Sequence, residues 1–345
     1  MRCGVVGVGR MGRHHARVYA ERPDVELVGV ADTDHRRCAE IAERHGTDAF
    51  PGEAELLEAG VDAVSIAVPT VHHLTAASGF LERGIGCLIE KPLARDTATA
   101  ERMKTLAEDA GACLMVGHIE RFNPVIRAVQ QLESRNMAVT PRFVDVQRVS
   151  PMTFRSVDVG VVMDMMIHDV DVVLMLMGGV EPVGVEASGV SVVTEHEDIC
   201  NARLTFETEW GPAVANLSAS RLAMKTERVT RITGESGYIK IDYAAKKGTA
   251  IHRTANEAQR REVADLLRQG RDLSDLDWSE LVNIEPLDVA DGDQLEMEID
   301  AFLGAVRTGG RPPSDAGSGL ANVRTAERIV EATRSFLQKI GHRSD

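Results

Sequence analysis

Four ionisable side chains, Asp164, His168, Asp169 and Asp171, interrupt the most apolar run of the chain, VVMDMMIHDVDVVLMLM between Gly160 and Gly178. At helical periodicity the offsets i, i+4 and i+7 align Asp164, His168 and Asp171 in one stripe, and Val, Met, Leu and Ile cover the rest of the cylinder. A buried polar group left unpaired costs about 1–3 kcal/mol, so the stripe needs partners, bound water or a cleft to face. Two uses compete: a polar network that pins a core helix, or a catalytic set in which a histidine titrating near neutral pH moves a proton.

A second group of residues points to a phosphate-bearing ligand. Cys3-Gly4-Val5-Val6-Gly7-Val8-Gly9-Arg10-Met11-Gly12 ends a strand pattern and opens a helical one, with Gly7, Gly9 and Gly12 in the G-x-G-x-x-G spacing. Gly7 suits the tight turn, Gly9 the close approach of backbone to a pyrophosphate, and Gly12 the packing of helix on strand; Val8, Arg10 and Met11 belong to the same loop. Val28-Gly29-Val30-Ala31-Asp32 ends a second strand pattern and places Asp32 twenty residues beyond Gly12. A carboxylate there accepts from both ribose hydroxyls and repels a 2′-phosphate, which favours NAD over NADP, although Arg36 and Arg37 stand close by. Lys91 lies between Glu90 and Pro92 at the end of another strand pattern, where open α/β sheets bind ligands. Pro92 constrains the turn, and an ammonium held there polarises a substrate oxygen.

These groups need elements to hold them. Strand patterns at 2–6, 25–31, 63–67, 86–90 and 113–116 alternate with helical ones at 11–22, 35–46, 71–83 and 97–109, which predicts a doubly wound parallel sheet of the dinucleotide-binding type. After Gly117 the rhythm changes to a helix at 124–132, a strand at 142–149, the striped helix, and strands at 183–193, 199–207, 213–220, 227–233 and 238–243. This reads as an α+β unit with a large, mostly antiparallel, open-faced sheet. Residues 244–293 are the least regular, with helical patterns at 255–270 and 273–282 forming a surface excursion. Amphipathic helices at 294–307 and 319–340 flank the breaker-rich TGGRPPSDAGSG. Two domains are expected, a Rossmann unit over 1–119 and a substrate-binding and oligomerisation unit over 120–345, with the last helices packing back toward the first.

With 345 residues the chain exceeds what one core usually organises. Its formal charge of −14 argues against nucleic acid or an anionic membrane as main partner. Cys3, Cys38, Cys87, Cys113 and Cys200 are scattered and form no CxxC pair, as expected of reduced thiols in the cytoplasm. The N-terminus enters the glycine motif without an apolar leader, and the longest apolar run carries three aspartates and a histidine, so neither export nor a membrane span is expected.

The glycine fingerprint, Pro69 with His73, Glu90-Lys91-Pro92, Gly117-His118, and Asp164, Met166, His168 and Asp171 set as D-x-G-x-H-x-x-D together resemble the Gfo/Idh/MocA family of sugar dehydrogenases, and the resemblance covers both domains. It implies that Lys91, Asp164 and His168 form the catalytic set. His168 would remove the hydroxyl proton as hydride leaves for C4 of NAD, Lys91 would hold and polarise the oxygen, and Asp164 would orient the site. Lys91 or His168 takes the proton first; both orders stay open. Asp171, one turn deeper, would support His168. Pro69, His73 and Glu90 are implied on the cofactor side with Lys91. The family commonly has glycine where Met166 stands, and its apolar neighbours favour a packed side chain there. A dimer or tetramer through the second sheet is also implied.

Within the family, 116–124 and 160–169 are most similar to the branch that oxidises the 3-hydroxyl of UDP-N-acetylglucosamine. A free sugar or polyol such as inositol is the alternative substrate, and a non-catalytic NAD-binding regulator the alternative class. A nucleotide sugar needs cations for its diphosphate, for which Arg121, Arg148, Arg155, Arg221, Lys225 and Arg228 are candidates, with Asn123 beside Arg121 in the substrate site. His14 and His15 are expected to pack or face solvent, His73 to line the nicotinamide pocket and His72 to lie at the surface. No set of ligands has zinc spacing, so no metal is expected.

Overall fold

The computed structural model describes residues 1–341 apart from 135–136, 154–158, 273–278 and 280. The first part alternates strand and helix: β1 (Arg2–Val6), α1 (Gly12–Glu21), β2 (Glu26–Ala31), α2 (His35–His45), β3 (Asp48–Phe50), α3 (Glu53–Glu58), β4 (Ala63–Ile66), α4 (His73–Glu82), β5 (Gly86–Glu90), α5 (Thr97–Ala110) and β6 (Leu114–Gly117). The six strands pair in parallel in the order β3-β2-β1-β4-β5-β6, and the order reverses between β1 and β4, where such sheets open a ligand crevice. Helices cover both faces, so β4 and β6 are buried throughout. Asp34 and Asp96 cap α2 and α5, and Gly46 and Gly111 end them in the left-handed conformation. The five-strand reading of the sequence falls short by β3 and α3, whose three and six residues are too few to show periodicity.

The second part comprises α6 (Pro124–Ser134), β7 (Phe143–Val149), α7 (Ile167–Leu176), β8 (Gly184–Val190), β9 (Ile199–Thr208), β10 (Gly211–Ser220), β11 (Glu227–Thr233), β12 (Gly237–Asp242), β13 (Lys247–Arg253), α8 (Glu257–Arg268), β14 (Val282–Pro286), α9 (Gln294–Thr308) and α10 (Ala316–Lys339). Its eight strands run in the order β14-β13-β12-β11-β7-β10-β9-β8; β7 and β10 pair in parallel and the other neighbours are antiparallel. The stretch 244–293 is thus only partly the helical excursion expected: β13 and β14 lengthen the sheet. The helical pattern at 273–282 falls largely outside the described residues, and Val282 already belongs to β14.

One face of this sheet carries Val146, Leu204, Leu217, Ile232 and Ile239, which join Val170 and Val173 of α7 and Ile329 of α10 in one core. α10 also contacts α5 and β6, while Ile299, Phe302 and Leu303 of α9 pack on Val5, Leu88 and Met115 of the first sheet. Both C-terminal helices therefore brace the Rossmann sheet, and α10 joins it to the second one.

Candidate active site

A cavity of about 1080 Å³ lies between the carboxyl ends of the first sheet and the second half of the chain. Gly7, Gly9, Asp32, Glu90 and Lys91 line it from one side, and Arg148, Asp164, His168, Thr226 and Arg228 from the other.

The glycine loop is shaped by sterics. Gly7 has φ of +84°, and a Cβ there would come within 2.8 Å of the Ala67 backbone. A Cβ on Gly12 would lie 1.7 Å from the Gly7 carbonyl oxygen. At Gly9, by contrast, a Cβ would meet no protein atom within 4 Å, and the residue faces the cavity: the backbone borders open space that suits a pyrophosphate. Arg10 and Met11 share the wall, whereas Val8 is fully buried and contributes its N–H, donated to Asp32 Oδ2 at 2.8 Å. Asp32 Oδ1 accepts from Asp34 N at 2.8 Å and from Arg37 Nη2 at 2.8 Å. Burial pushes this carboxyl up, but the Arg37 guanidinium and the two main-chain donors outweigh it and hold the group below the usual carboxylate range.

Asp164 belongs to a π-helical turn, Val162–Met166, in which the Ile167 N–H reaches back to Val162 O. The regular α-helix expected over the whole apolar run therefore begins only at Ile167. Two carbonyls of this segment accept from elsewhere in the chain: Lys91 Nζ donates to Asp164 O at 3.2 Å, and Asn322 Nδ2 to Ile167 O at 2.9 Å. Lys91, reaching across from its side, thereby meets Asp164 and His168 at the cavity. Burial lowers the Lys91 pKa against the opposing charges of Asp164 and Glu90. Burial, with the charges of Lys91 and Arg148, puts His168 well below an ordinary histidine, so its ring is neutral.

Other expected site residues lie elsewhere. Asp171 does not support His168: it is buried, accepts from Arg121 Nη2 at 2.6 Å and Nε at 2.8 Å, and stands 3.5 Å from His118 Nε2. Arg121, so paired and bonded to Pro313 O, is not on the cavity wall; neither is Asn123, buried against Glu120 and the Val125 N–H. Of the two histidines after Pro69, His72 is exposed as expected and also lines the cavity, whereas His73, expected in the nicotinamide pocket, is buried with its nitrogens on Leu93 O and Val68 O, because the 3-10 turn Thr70–His72 directs it inward. Pro69 is on the wall. His14 is half-buried, and His15 is fully buried and hydrogen-bonded to Ser65 and Glu90. Met166 is 1% exposed and belongs to the core.

Among the cations, Arg148 reaches the cavity with its guanidinium held by Asp169 at 2.8 Å and by Glu120 at 3.1 Å. Arg221 is also on the wall and bonds to Val159 O. Lys225 is exposed, pairs with Glu227 and stands off the wall; Arg155 lies outside the described residues. Arg228 is exposed on the wall, with no ion pair among the described residues. Ser150, Thr153 and Thr226 join it, and no motif marks them: the pairing of β7 with β11 brings 149 opposite 227 from far apart in sequence.

Comparison with known proteins agrees with this geometry. Residues 1–118 match the family model described as oxidoreductase family, NAD-binding Rossmann fold, and 139–240 match the GFO/IDH/MocA C-terminal domain. The chain is 36% identical over 339 residues to UDP-N-acetylglucosamine 3-dehydrogenase of Acidithiobacillus ferrooxidans, covering 98% of this chain and 99% of that protein. A solved structure of that enzyme superposes with a TM-score of 0.84 at the same coverage. An inositol 2-dehydrogenase of Rhizobium meliloti is 30% identical over 200 residues, 56% of this chain and 59% of the relative.

Proposed function

Because this chain belongs to the Gfo/Idh/MocA family of NAD-binding oxidoreductases, we propose that it oxidises the 3-hydroxyl of UDP-N-acetylglucosamine to a ketone with NAD. The convergence of Lys91, Asp164 and His168 on the cavity that the glycine loop opens carries the chemistry of this reading. The nicotinamide cofactor supplies the hydride acceptor. Gly7, Gly9, Arg10, Met11 and Asp32 would hold its dinucleotide part, and Pro69 and Glu90 line the same cavity beside Lys91. The neutral His168 ring accepts the hydroxyl proton, Lys91 binds and polarises the same oxygen, and Asp164 orients the sugar.

The substrate reading rests on the nearly full-length relative and on Arg228, which faces the cavity without a protein counter-ion among the described residues and suits a diphosphate oxygen. The inositol enzyme matches over little more than half of each chain, which favours the nucleotide sugar over a free polyol. Asp32, deprotonated and aimed by three donors, favours NAD.

The division of labour follows the sheets, with cofactor on 1–119 and substrate on 120–345. The open face of the second sheet carries a cross-strand row, Val214, Phe143, Thr233, Tyr238, Ile251 and Ile284, that suits a second copy and hence a dimer or tetramer. Five free thiols suit a reducing compartment such as the cytoplasm.

Steady-state NADH formation with UDP-N-acetylglucosamine, myo-inositol and glucose tests the reading. Turnover is expected with the UDP-sugar; activity confined to the free polyols, or none with any UDP-sugar, overturns it.

A further inference from the structure

Glu90, the last residue of β5, immediately precedes Lys91, and its side chain, 14% exposed, reaches the cavity wall. Five titratable groups face it from the surrounding elements: His15 of α1, Lys91, His73 of α4, His118 beyond β6, and Glu298 of α9. Among the described residues only His15 hydrogen-bonds its carboxylate, Nε2 to Oε1 at 3.1 Å. His15 is itself immobilised. Its ring is fully buried, Nδ1 contacts Ser65 Oγ at 3.0 Å, and Ser65 in turn contacts the buried Tyr19 hydroxyl at 2.8 Å.

We propose that His15 is a positioning residue for Lys91: clamped between Ser65 and Glu90, its ring fixes the Glu90 carboxylate beside the lysine that holds the reacting oxygen. This rests on the assignment of Lys91 as catalytic. The glycine-loop helix thus does more than present its N-terminus to a pyrophosphate, because one turn in it carries the third member of a Lys91, Glu90 and His15 series.

The electrostatics agree with the geometry. Burial pushes the Glu90 carboxyl up, but the His15 hydrogen bond and the charges of His15 and Lys91 outweigh it and hold Glu90 below the usual range. Glu298 is 1% exposed and neither of its oxygens has a hydrogen-bond partner among the described residues; burial and the charges of Glu90 and Asp171 push it well above an ordinary glutamate. Glu90 therefore supports the Lys91 charge from the cofactor side and Asp164 from the other. Loss of the His15 donor lets Glu90 take up a proton, Lys91 loses one of its two supporting anions, and the ammonium deprotonates at lower pH.

The test is the pH profile of kcat for His15→Phe, which keeps a ring of similar volume, and His15→Gln, which keeps a donor. In His15→Phe the alkaline limb is expected to move down by about one pH unit and turnover at that limb to fall about tenfold, with KM for NAD little changed. His15→Gln is expected to restore the limb, and Glu90→Gln to reproduce the shift. A folded His15→Phe with an unshifted limb overturns the proposal; if that variant does not fold, an unshifted Glu90→Gln does. Lys91→Ala distinguishes the two levels: normal turnover there sinks the catalytic assignment itself, whereas an inactive Lys91→Ala beside an unshifted His15→Phe sinks only the role of His15.

Discussion

Lys91 Nζ donates to the main-chain carbonyl of Asp164 at 3.2 Å, so the turn after β5 of the Rossmann sheet is tied to the π-helical turn that carries Asp164 and runs into the helix of His168. On the proposed mechanism one side chain is both bolt and reagent. Lys91→Ala is expected to lower kcat by a factor of about 10²–10⁴ while NAD binding, followed by titration calorimetry, changes only slightly. Lys91→Arg is not expected to rescue, since a planar guanidinium neither fits a single carbonyl in the same way nor gives up its proton. Normal turnover in Lys91→Ala removes Lys91 from the reaction.

Met166 is buried in the core with Val162, Ile167 and Val170, which makes it a packing residue. Met166→Ala is expected to cost about 2–4 kcal/mol, read by chemical denaturation, with little change in KM for the sugar. A large drop in KM without loss of stability would instead place the side chain in the sugar site.

On the proposed preference for NAD, Asp32 and Arg37 act on cofactor choice in opposite senses. Arg37 Nη2 lies 2.8 Å from Asp32 Oδ1, so the guanidinium partly cancels the charge that would repel a 2′-phosphate. Arg37→Ala is expected to sharpen the preference for NAD, and Asp32→Ser to weaken it by about tenfold to a hundredfold, the size of a lost charge-assisted hydrogen bond. The ratio of kcat/KM with NAD to that with NADP measures both; an unchanged ratio in Asp32→Ser rejects the role of the carboxylate.

The outer row of the second sheet predicts an interface. Phe143 is 39% exposed and Ile284 62% exposed, although both sit in regular strands. Phe143→Glu with Ile284→Lys is expected to shift the assembly to monomers by light scattering while leaving far-ultraviolet dichroism unchanged. A wild-type monomer contradicts the interface outright.

What the sequence made legible follows the range of each signal. The glycine spacing, Asp32 and Lys91 are short-range patterns at strand ends, and the first sheet holds them where local periodicity places them. Asp164 and His168 were readable for the same reason, as polar interruptions of an apolar run. Asp171 was not, because its partners Arg121 and His118 come from another segment and turn it into an internal ion-pair member. Arg148 poses the same difficulty: a lone arginine in a strand looks like a ligand for phosphate until Asp169 and Glu120 are seen to hold it. The burial of His73 turns on a three-residue 3-10 turn that no periodicity reveals.

The same buried histidines predict how stability depends on pH. His73, His118 and His168 are all lowered from 6.5, first by burial, and His118 reaches about 4. Below pH 6.5 the unfolded chain therefore binds protons that the folded one refuses, so stability falls as the pH drops toward the folded values. His118 alone contributes roughly 3 kcal/mol across that window. Glu298 acts with the opposite sign. Its folded pKa lies well above 4.5, so the folded state holds a proton that the unfolded state releases, and stability is lost as the pH rises from 4.5 toward the folded value. Denaturation of the wild type is expected to show a steep acid limb between pH 6.5 and 4, shallower in His118→Phe, while Glu298→Gln gains stability at neutral pH relative to wild type. An acid limb identical in His118→Phe and wild type would show that His118 is protonated in the folded protein, paired with Asp171 rather than neutral beside it.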